Sequence, residues 1–399
     1  MNFIETGFLD LPWWAIVIAT LGITHITIAS VTIFLHRHQS HNSLTLHPVI
    51  SHFFRFWLWL TTGMLTKQWV AVHRKHHAKC ETSEDPHSPQ IFGLKKLLLE
   101  GSELYRKEAG NQETLEKYGQ GTPDDWVERH VYTRYPFLGI VLMLLIDVFM
   151  FGAIGITVFA VQMLWIPVTA AGIINGIGHY IGYRNFETKD ASRNIVPWGI
   201  LIGGEELHNN HHAYASSARL SNKWWEFDIG WLYIRIMSLL GLAKIKKMAA
   251  KVCSETDKHL IDMDTVTALV RHRFHIVKLY GRKVIRPVIR QERKLANEYC
   301  AGLFKKVRKL MTREDLKLDI KSKAAIEEAM IQSQALATVY EFKQKLKALW
   351  DNSKQHQTRR LERLQAWCVE AEQTGIEALA EFARFIRGYT EVRMLPVRA

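Results

Sequence analysis

A chain of 399 residues, 48% hydrophobic and 23% charged, has room for two or three soluble domains, but several long runs with few charges point to a membrane protein and exclude a fibrous or disordered one. Most apolar residues precede about Leu242, and the basic residues behind the formal charge of +13 dominate the rest of the chain. Cys80, Cys253, Cys300 and Cys368 stand far apart without C-x-x-C spacing, which excludes a disulfide framework or zinc ribbon and reads as buried, reduced thiols.

Glu5 and Asp10, with no Lys or Arg before the first apolar run, give the wrong polarity for a cleaved signal peptide, so that run is expected to be retained. Residues 13–35 supply about 23 mostly apolar positions, roughly 34 Å of helix, enough for one crossing of a hydrocarbon core of about 30 Å. Residues 52–65 (HFFRFWLWLTTGML) are too few to cross and carry Arg55, so a helix in the membrane interface is expected. A full crossing there would also put the histidines on either side of it on opposite faces of the membrane. Residues 136–159 and 161–181 read as two further long runs, with Trp165, Ile166 and Pro167 as their hairpin. Arg37, Arg55, Lys67, Arg74, Arg129, Arg134 and Arg184 flank the runs and place that side in the cytoplasm, with the short N-terminus outward. Asp147 and His25 lie at similar depth, about 15 Å from the cytoplasmic ends of their helices, and are expected to pair.

Histidines gather in four places: HRHQSH at 36–41, HRKHH at 73–77, NGIGH at 175–179 and HNNHH at 208–212. Two H-x-x-H-H patterns arise by chance in about one of a thousand shuffled sequences, so the spacing needs a cause. Positions i, i+3 and i+4 share a helix face. His73, His76 and His77 are therefore expected to converge on one point, His208, His211 and His212 on another, with Asn175 beside His179. His36 and His41 would lie about 140° apart on a regular helix, which must therefore end or bend between them. Imidazole suits zinc, copper and iron alike, and nine histidines with an asparagine suffice for two metals with open positions, the pattern of a dinuclear redox centre. His38, His47, His52, His87 and His130 fall outside these patterns and read as ordinary polar or supporting residues.

The order H-x-x-x-x-H, H-x-x-H-H, N-x-x-x-H, H-x-x-H-H, with HRKHHAKCETSEDPHSP around the second cluster and GGEELHNNHH around the last, resembles the membrane fatty acyl desaturase family over about residues 13–240. The pattern is that of its stearoyl-CoA desaturase members, and GHYIGYRNFETKD and SARLSNKWWEFDIGW are most similar to bacterial delta-nine fatty acid desaturases. The resemblance implies an all-α membrane bundle of three to four spans plus an interfacial helix, capped by a cytoplasmic helical di-iron domain, over residues 1–242. Residues 243–399 would form a cytoplasmic helical extension. It implies two irons, cycling between Fe2+ and Fe3+, held by His36, His41, His73, His76, His77, His179, His208, His211 and His212, with Asn175 contacting one through water. It places the protein in the bacterial inner membrane with its site facing the cytoplasm. Mammalian-type members have two spans before the first cluster and this chain has room for one, so part of the wall around the acyl tunnel is missing or differently supplied.

The expected reaction is introduction of a cis double bond, at the delta-nine position, into a long-chain saturated acyl group carried by coenzyme A or by a phospholipid. Removing hydrogen from an unactivated methylene exceeds side-chain acid–base chemistry, so dioxygen and two external electrons are required and no catalytic residue beyond the metal ligands is named. A separate electron-transfer protein and reductase are implied, because no haem, ferredoxin-like cysteine or flavin motif is fused to the chain. The membrane is an expected partner and nucleic acid is not. Asp85, Asp190, Glu205 and Glu206 are the candidate carboxylates for orienting the imidazoles, and Trp69 and Trp198, with Trp57 and Trp59, are candidate tunnel walls. The rival readings are a di-iron membrane fatty acid or alkane hydroxylase and a non-catalytic membrane metal-binding or transport protein. A transporter should hold its ligands near the bilayer midplane.

After about Ala243 the chain turns charged and helical. Leu336, Val339, Leu346 and Leu349 repeat roughly every 3.5 residues, a second helix carries Leu361, Leu364, Cys368 and Ala371, and a break is expected at residues 351–353, which together predict a helical hairpin or bundle. The stretches RKVIRPVIRQERK from Arg282 and KKVRK from Lys305 suit either anionic lipid headgroups or a solvated helix face.

Overall fold

The computed structural model describes residues 3–250, 252–255, 258, 260–313, 318–351 and 357–391. Contacts divide the chain into two compact units, Met1–Arg184 with Asp190–Ala249, and Asn185–Lys189 with Ala250–Ala399.

The first unit begins with α1 (Trp13–Ser30), which continues without a break into a π-type segment, Val31–Ser40. Thr20, Thr24, Thr27 and Ser30 form its buried face and return their hydroxyls to carbonyls one turn back, whereas Trp13, Val17, Ile18 and Leu21 point outward. The short strand β1 (Leu44–Leu46) follows, then α2 (Pro48–Thr62), whose 15 residues span about 22 Å, short of a crossing. Arg55 on α2 is buried because Asp125 takes both its terminal nitrogens, at 2.5 and 2.9 Å, and Glu128 lies 3.3 Å away. Beyond it come α3 (Thr66–Lys79) and α4 (Leu94–Ala109).

Two helical runs, Trp13–Ser40 and Pro136–His179, are long and apolar enough to cross a membrane. The second run folds on itself. Helix α5 (Pro136–Phe151) stops at Gly152, whose φ of +67° suits glycine alone, and α6 (Gly155–Ile166) packs back with Gly155 against the Asp147 backbone. The reversal is therefore here and not at Trp165–Pro167, because Pro167 takes the first position of a further π-type segment, Pro167–Ile174, where its missing N–H costs nothing. Phe137, Val141, Leu145 and Phe149 leave an exposed apolar stripe along α5, as a lipid-facing helix would. Asp147 accepts from Gln162 of α6 at 2.8 Å, and His25 pairs with Tyr233 at 2.7 Å, so the expected Asp147–His25 pair gives way to a different partner for each.

The remainder of this unit is short elements that support the histidines. The bridge strands β2 (Trp198–Gly199) and β3 (Phe227–Asp228) pair in parallel, α7 (His208–Ala213) carries the last cluster, α8 (Ile229–Leu239) follows, and β4 (Ala243–Ile245) pairs antiparallel with β1. Arg37 is the bolt of this layer. It is 1% exposed and gives two hydrogen bonds to Asp228 and one each to the Ala218 and Gly203 carbonyls.

Among the described residues the second unit is mainly helical, and its strands β5 (Val252–Ser254) and β6 (Tyr389–Glu391) pair antiparallel. Its helices are α9 (Met263–Arg271), α10 (Arg273–Tyr280), α11 (Arg286–Leu295), α12 (Glu298–Leu310), α13 (Ile320–Gln332), α14 (Gln334–Asp351), α15 (Gln357–Gln373) and α16 (Glu377–Arg387). Leu336, Val339, Leu346 and Leu349 of α14 and Leu364, Cys368 and Ala371 of α15 lie in one apolar core. Of the break expected at residues 351–353, Asp351 is the last residue of α14, and 352–353 lie outside the described residues. Arg282, Arg286, Arg290, Lys305 and Arg308 are exposed. Of the four thiols only Cys300 and Cys368 are buried; Cys80 is half-buried and Cys253 exposed, and none is in a disulfide.

Candidate metal centre

The first cluster answers its own geometric problem by winding more widely. In the segment Val31–Ser40 hydrogen bonds run from i to i+5, and His41 N–H reaches the His36 carbonyl at 3.1 Å. Residues five apart then share a face, and the His36 and His41 rings lie 4.9 Å apart. The helix does end between them, at Ser40, and its wider winding is what brings His41, at the C-cap, onto the face of His36.

Each H-x-x-H-H motif serves two centres. His73 and His77 of α3 join His36, His41 and His211 in a group of five whose donor atoms all lie within 4.8 Å of one another, while His76 joins His179, His208 and His212 in a group of four. Helix α7 does the reverse, sending His208 and His212 to the group of four and His211 to the group of five. The reason is that i and i+4 are about 40° apart around a helix, but i+3 and i+4 differ by about 100°. The expected single convergence point per motif is thus replaced by a split of two and one.

Within the groups Nε2 atoms face each other: His36 and His211 at 3.0 Å, His41 and His73 at 2.9 Å, His77 and His211 at 2.8 Å, His179 and His208 at 2.9 Å. A metal–nitrogen bond of about 2.1 Å sets donors at right angles about 3.0 Å apart, so the spacing fits ions with more than four ligand positions. The Nδ1–H groups point outward to carboxylates: His36 to Glu205 at 2.7 Å, His76 to Asp85 at 2.9 Å, His212 to Asp190 at 3.0 Å and His179 to Glu81 at 3.3 Å. Such partners fix the tautomer so that Nε2 keeps its lone pair for a metal. Glu206 turns elsewhere and accepts from the Ile202 and Gly204 backbone N–H groups at 2.8 and 3.1 Å. Glu81, absent from the sequence-based set, takes the place of the fourth carboxylate.

Burial, followed by the neighbouring imidazoles, holds His41, His73, His77, His208 and His211 well below the ordinary histidine range. Burial also takes His212 down to about 4, with Asp190 opposing. All six are neutral donors at physiological pH. His76 is the exception: burial pulls it down, but Asp85 outweighs burial and raises it, and Asp85 is itself held below the usual carboxylate range.

A pocket opens onto both groups, walled by Ile28, Val31, Val72, Ala170 and Ile174 and ending at His36, His73, His208, Asn175 and Glu205. Asn175 closes the segment Pro167–Ile174 with an i to i+5 bond to the Ala170 carbonyl at 3.1 Å. Trp69 lines the pocket and stacks on His73 at 4.9 Å. Trp198 does not line it: in β2 its ring turns outward and is 63% exposed. Trp57 donates to the Thr27 hydroxyl and Trp59 to the Tyr135 carbonyl, both as packing residues. His38 and His130 bond to backbone carbonyls and His47 caps α2, as ordinary residues do. His87, read from the sequence as an ordinary polar or supporting residue, also lines the pocket, as does Tyr105, which sequence reasoning passed over.

Residues 11–228 match a family model described as fatty acid desaturase. Similar curated proteins include a Delta-9 acyl-lipid desaturase 1 from Arabidopsis thaliana, 30% identical over 55% of this chain and 72% of its own length. An sn-1 stearoyl-lipid 9-desaturase from Anabaena variabilis is 29% identical over 62% and 89% respectively. An acyl-CoA 5-desaturase from Anemone leveillei is 31% identical over 55% and 68%. Residues 248–393 are similar to a second family model, described as transposase.

Proposed function

Since the chain belongs to the fatty acid desaturase family and is an oxidoreductase, we propose that it introduces a cis double bond at the delta-nine position of a long-chain saturated acyl group. Two irons would be held by His36, His41, His73, His77 and His211 on one side and by His76, His179, His208 and His212 on the other, with Asn175 reaching the second through water. They would supply the dioxygen-dependent oxidation that no side chain can perform. The observation that carries the reading is the division of nine buried or half-buried imidazoles into two donor groups beside one largely apolar pocket.

The chain's own residues supply position and environment. Ile28, Val31, Val72 and Ile174 give an apolar surface against which a saturated chain lies beside the donor groups, and holding the reacting carbons there sets which bond is oxidised. Asp85, Asp190, Glu205 and Glu81 keep the imidazoles in their ligating tautomers. Two electrons per turnover come from a separate carrier protein and its reductase, and the apolar helices hold the unit in a membrane with its histidines on the cytoplasmic side.

Iron analysis of the purified protein with gas chromatography of lipids from an expressing host tests this reading. The expectation is near two irons per chain and new cis-monounsaturated acyl chains. Hydroxylated products would favour the hydroxylase instead, and bound metal with unchanged lipids the transport protein. Feeding purified enzyme a coenzyme A thioester and a phospholipid in parallel, with a reducing system, identifies the carrier. Among the described residues every group of three or more potential metal donors lies before residue 213, so the proposed metal chemistry is assigned to the first unit.

A further inference from the structure

Besides His208 Nδ1 of the donor set, two residues that line the pocket beside the histidine groups carry a buried polar atom without a partner among the described residues. His87 is 6% exposed and its Nε2 has no hydrogen-bond partner; the Tyr105 hydroxyl is buried and equally without one. Both residues line the pocket together with Asn175 and His208. Leaving buried polar atoms unsatisfied is costly, so a site that gathers them signals a ligand.

Both are held in place by the surroundings of the four-histidine group. Asp85 accepts the His87 backbone N–H at 3.1 Å through the same oxygen that accepts His76 Nδ1–H, and the His87 ring stacks on His76 at 4.5 Å. Tyr105 stands on α4 beyond its irregular residue Glu100. At the adjacent Gly101 a Cβ would come 3.0 Å from Ala171 Cβ, so the missing side chain lets α4 lie against the segment that ends in Asn175. His87 belongs to neither donor group.

We propose that His87 Nε2 and Tyr105 Oη, with Asn175, form a hydrogen-bonding subsite for one water molecule at the open face of the four-histidine centre, and that this water delivers protons to the reaction. The inference rests on the two-iron reading; beyond the water-mediated contact implied for Asn175, it assigns two positioning residues outside the ligand set. Three side chains and a metal give a buried water its usual complement of two to four partners, while the apolar walls Ile28, Val31, Val72 and Ala170 offer it none. The stoichiometry requires such a path. One –CH2–CH2– unit, one dioxygen, two electrons from the external carrier and two protons yield –CH=CH– and two waters, and the electron carrier does not fix where the protons enter.

The test uses the full-length, iron-loaded wild type and the variants Tyr105→Phe, His87→Leu and His87→Gln. Iron per chain, azide affinity of the oxidised protein by absorption titration, and peroxide released per double bond formed are measured. Azide takes the place of the water and accepts the same hydrogen bonds. The expected result is unchanged iron in every variant, azide binding about fivefold weaker in Tyr105→Phe and in His87→Leu, and most of the affinity regained in His87→Gln. Peroxide release should rise in step with the azide effect. Wild-type azide affinity and coupling in both Tyr105→Phe and His87→Leu would overturn the proposal. So would loss of one iron in His87→Leu and His87→Gln alike, which would make His87 a ligand. Tyr105→Phe removes a single oxygen and carries the test if His87→Leu does not fold. A wild type without two irons would sink the two-iron reading, and the subsite with it, before any variant is compared.

Discussion

In residues 13–249 the interior holds Arg37, Arg55, seven carboxylate or imidazole side chains of the centre under 9% exposed, and a row of hydroxyls, while Trp13, Phe137 and Leu145 face outward. In residues 260–391 the order is reversed, with Leu336, Val339, Phe382 and Ile386 inside and the arginines and lysines of α11 and α12 outside. A helix is stable in either arrangement provided each buried polar atom has a partner, so the two units should fail under opposite kinds of substitution.

The largest effect is expected where a polar side chain is removed from the first unit. His77→Ala deletes a donor whose Nε2 lies 2.8 Å from that of His211, so iron content should fall from near two towards one per chain and double-bond formation should fall at least ~100-fold. Retained iron at wild-type stoichiometry would break the five-and-four assignment. Arg37→Leu should come next. It strands Asp228, 3% exposed, without its guanidinium partner, a loss of about 3–5 kcal/mol that thermal unfolding in detergent would register. The double variant Arg37→Leu with Asp228→Leu should recover part of that loss.

The second unit should respond to apolar truncation instead. Leu346 is 1% exposed in the core between α14 and α15, and Leu346→Ala should cost about 2–5 kcal/mol while leaving iron content at its wild-type value. Loss of iron in that variant would mean that the units are not separable. Asp85→Asn and Asp190→Asn sharpen the comparison from the other side. Each removes the charge behind one imidazole and should weaken metal binding about 10–100-fold, whereas Glu206→Gln, whose carboxylate meets only backbone N–H groups, should leave it unchanged.

Legibility in the sequence also differs between the units. The apolar repeat of α14 and α15 could be read directly because a soluble core obeys helical periodicity, although nothing in it announced the likeness of residues 248–393 to a transposase model. In the first unit the chemistry was legible through histidine spacing, but the geometry was not. A period of 3.6 cannot foresee the i to i+5 winding that joins His36 to His41, and the sharing of a face by i, i+3 and i+4 hid the 100° that separates His76 from His77. Depth arithmetic matched Asp147 to His25 but could not say which way either points; Gln162 was the neighbour one helix away. The reversal was sought at Pro167, yet Gly152 and Gly155 carried the signal, since one must take a positive φ and the other must touch backbone. Glu81 meets His179, and Tyr105 reaches the pocket, only through long-range folding, and local spacing holds no trace of either contact.

The smallest effect belongs to a charge at the surface of the second unit. Asp262 caps α9, accepting the Thr265 backbone N–H and Lys258 Nζ at 2.8 Å each. Burial pushes its carboxyl up, but Lys258 and Thr265 outweigh burial and hold it at about 2, below the ordinary 3.8. The folded state therefore binds fewer protons than the unfolded one in that window. The cap contributes fully above about pH 4, and its contribution is lost as the pH falls towards 2. Asp262→Ala should cost about 1 kcal/mol at pH 7, and the cost should shrink on acidification, while Asp262→Asn keeps a capping oxygen and should cost only a few tenths at any pH. Amide hydrogen exchange at Thr265 measures both. An alanine penalty that stays constant down to pH 2.5 would show that the cap depends on shape and not on charge, and the contrast between the units would then rest on their interiors alone.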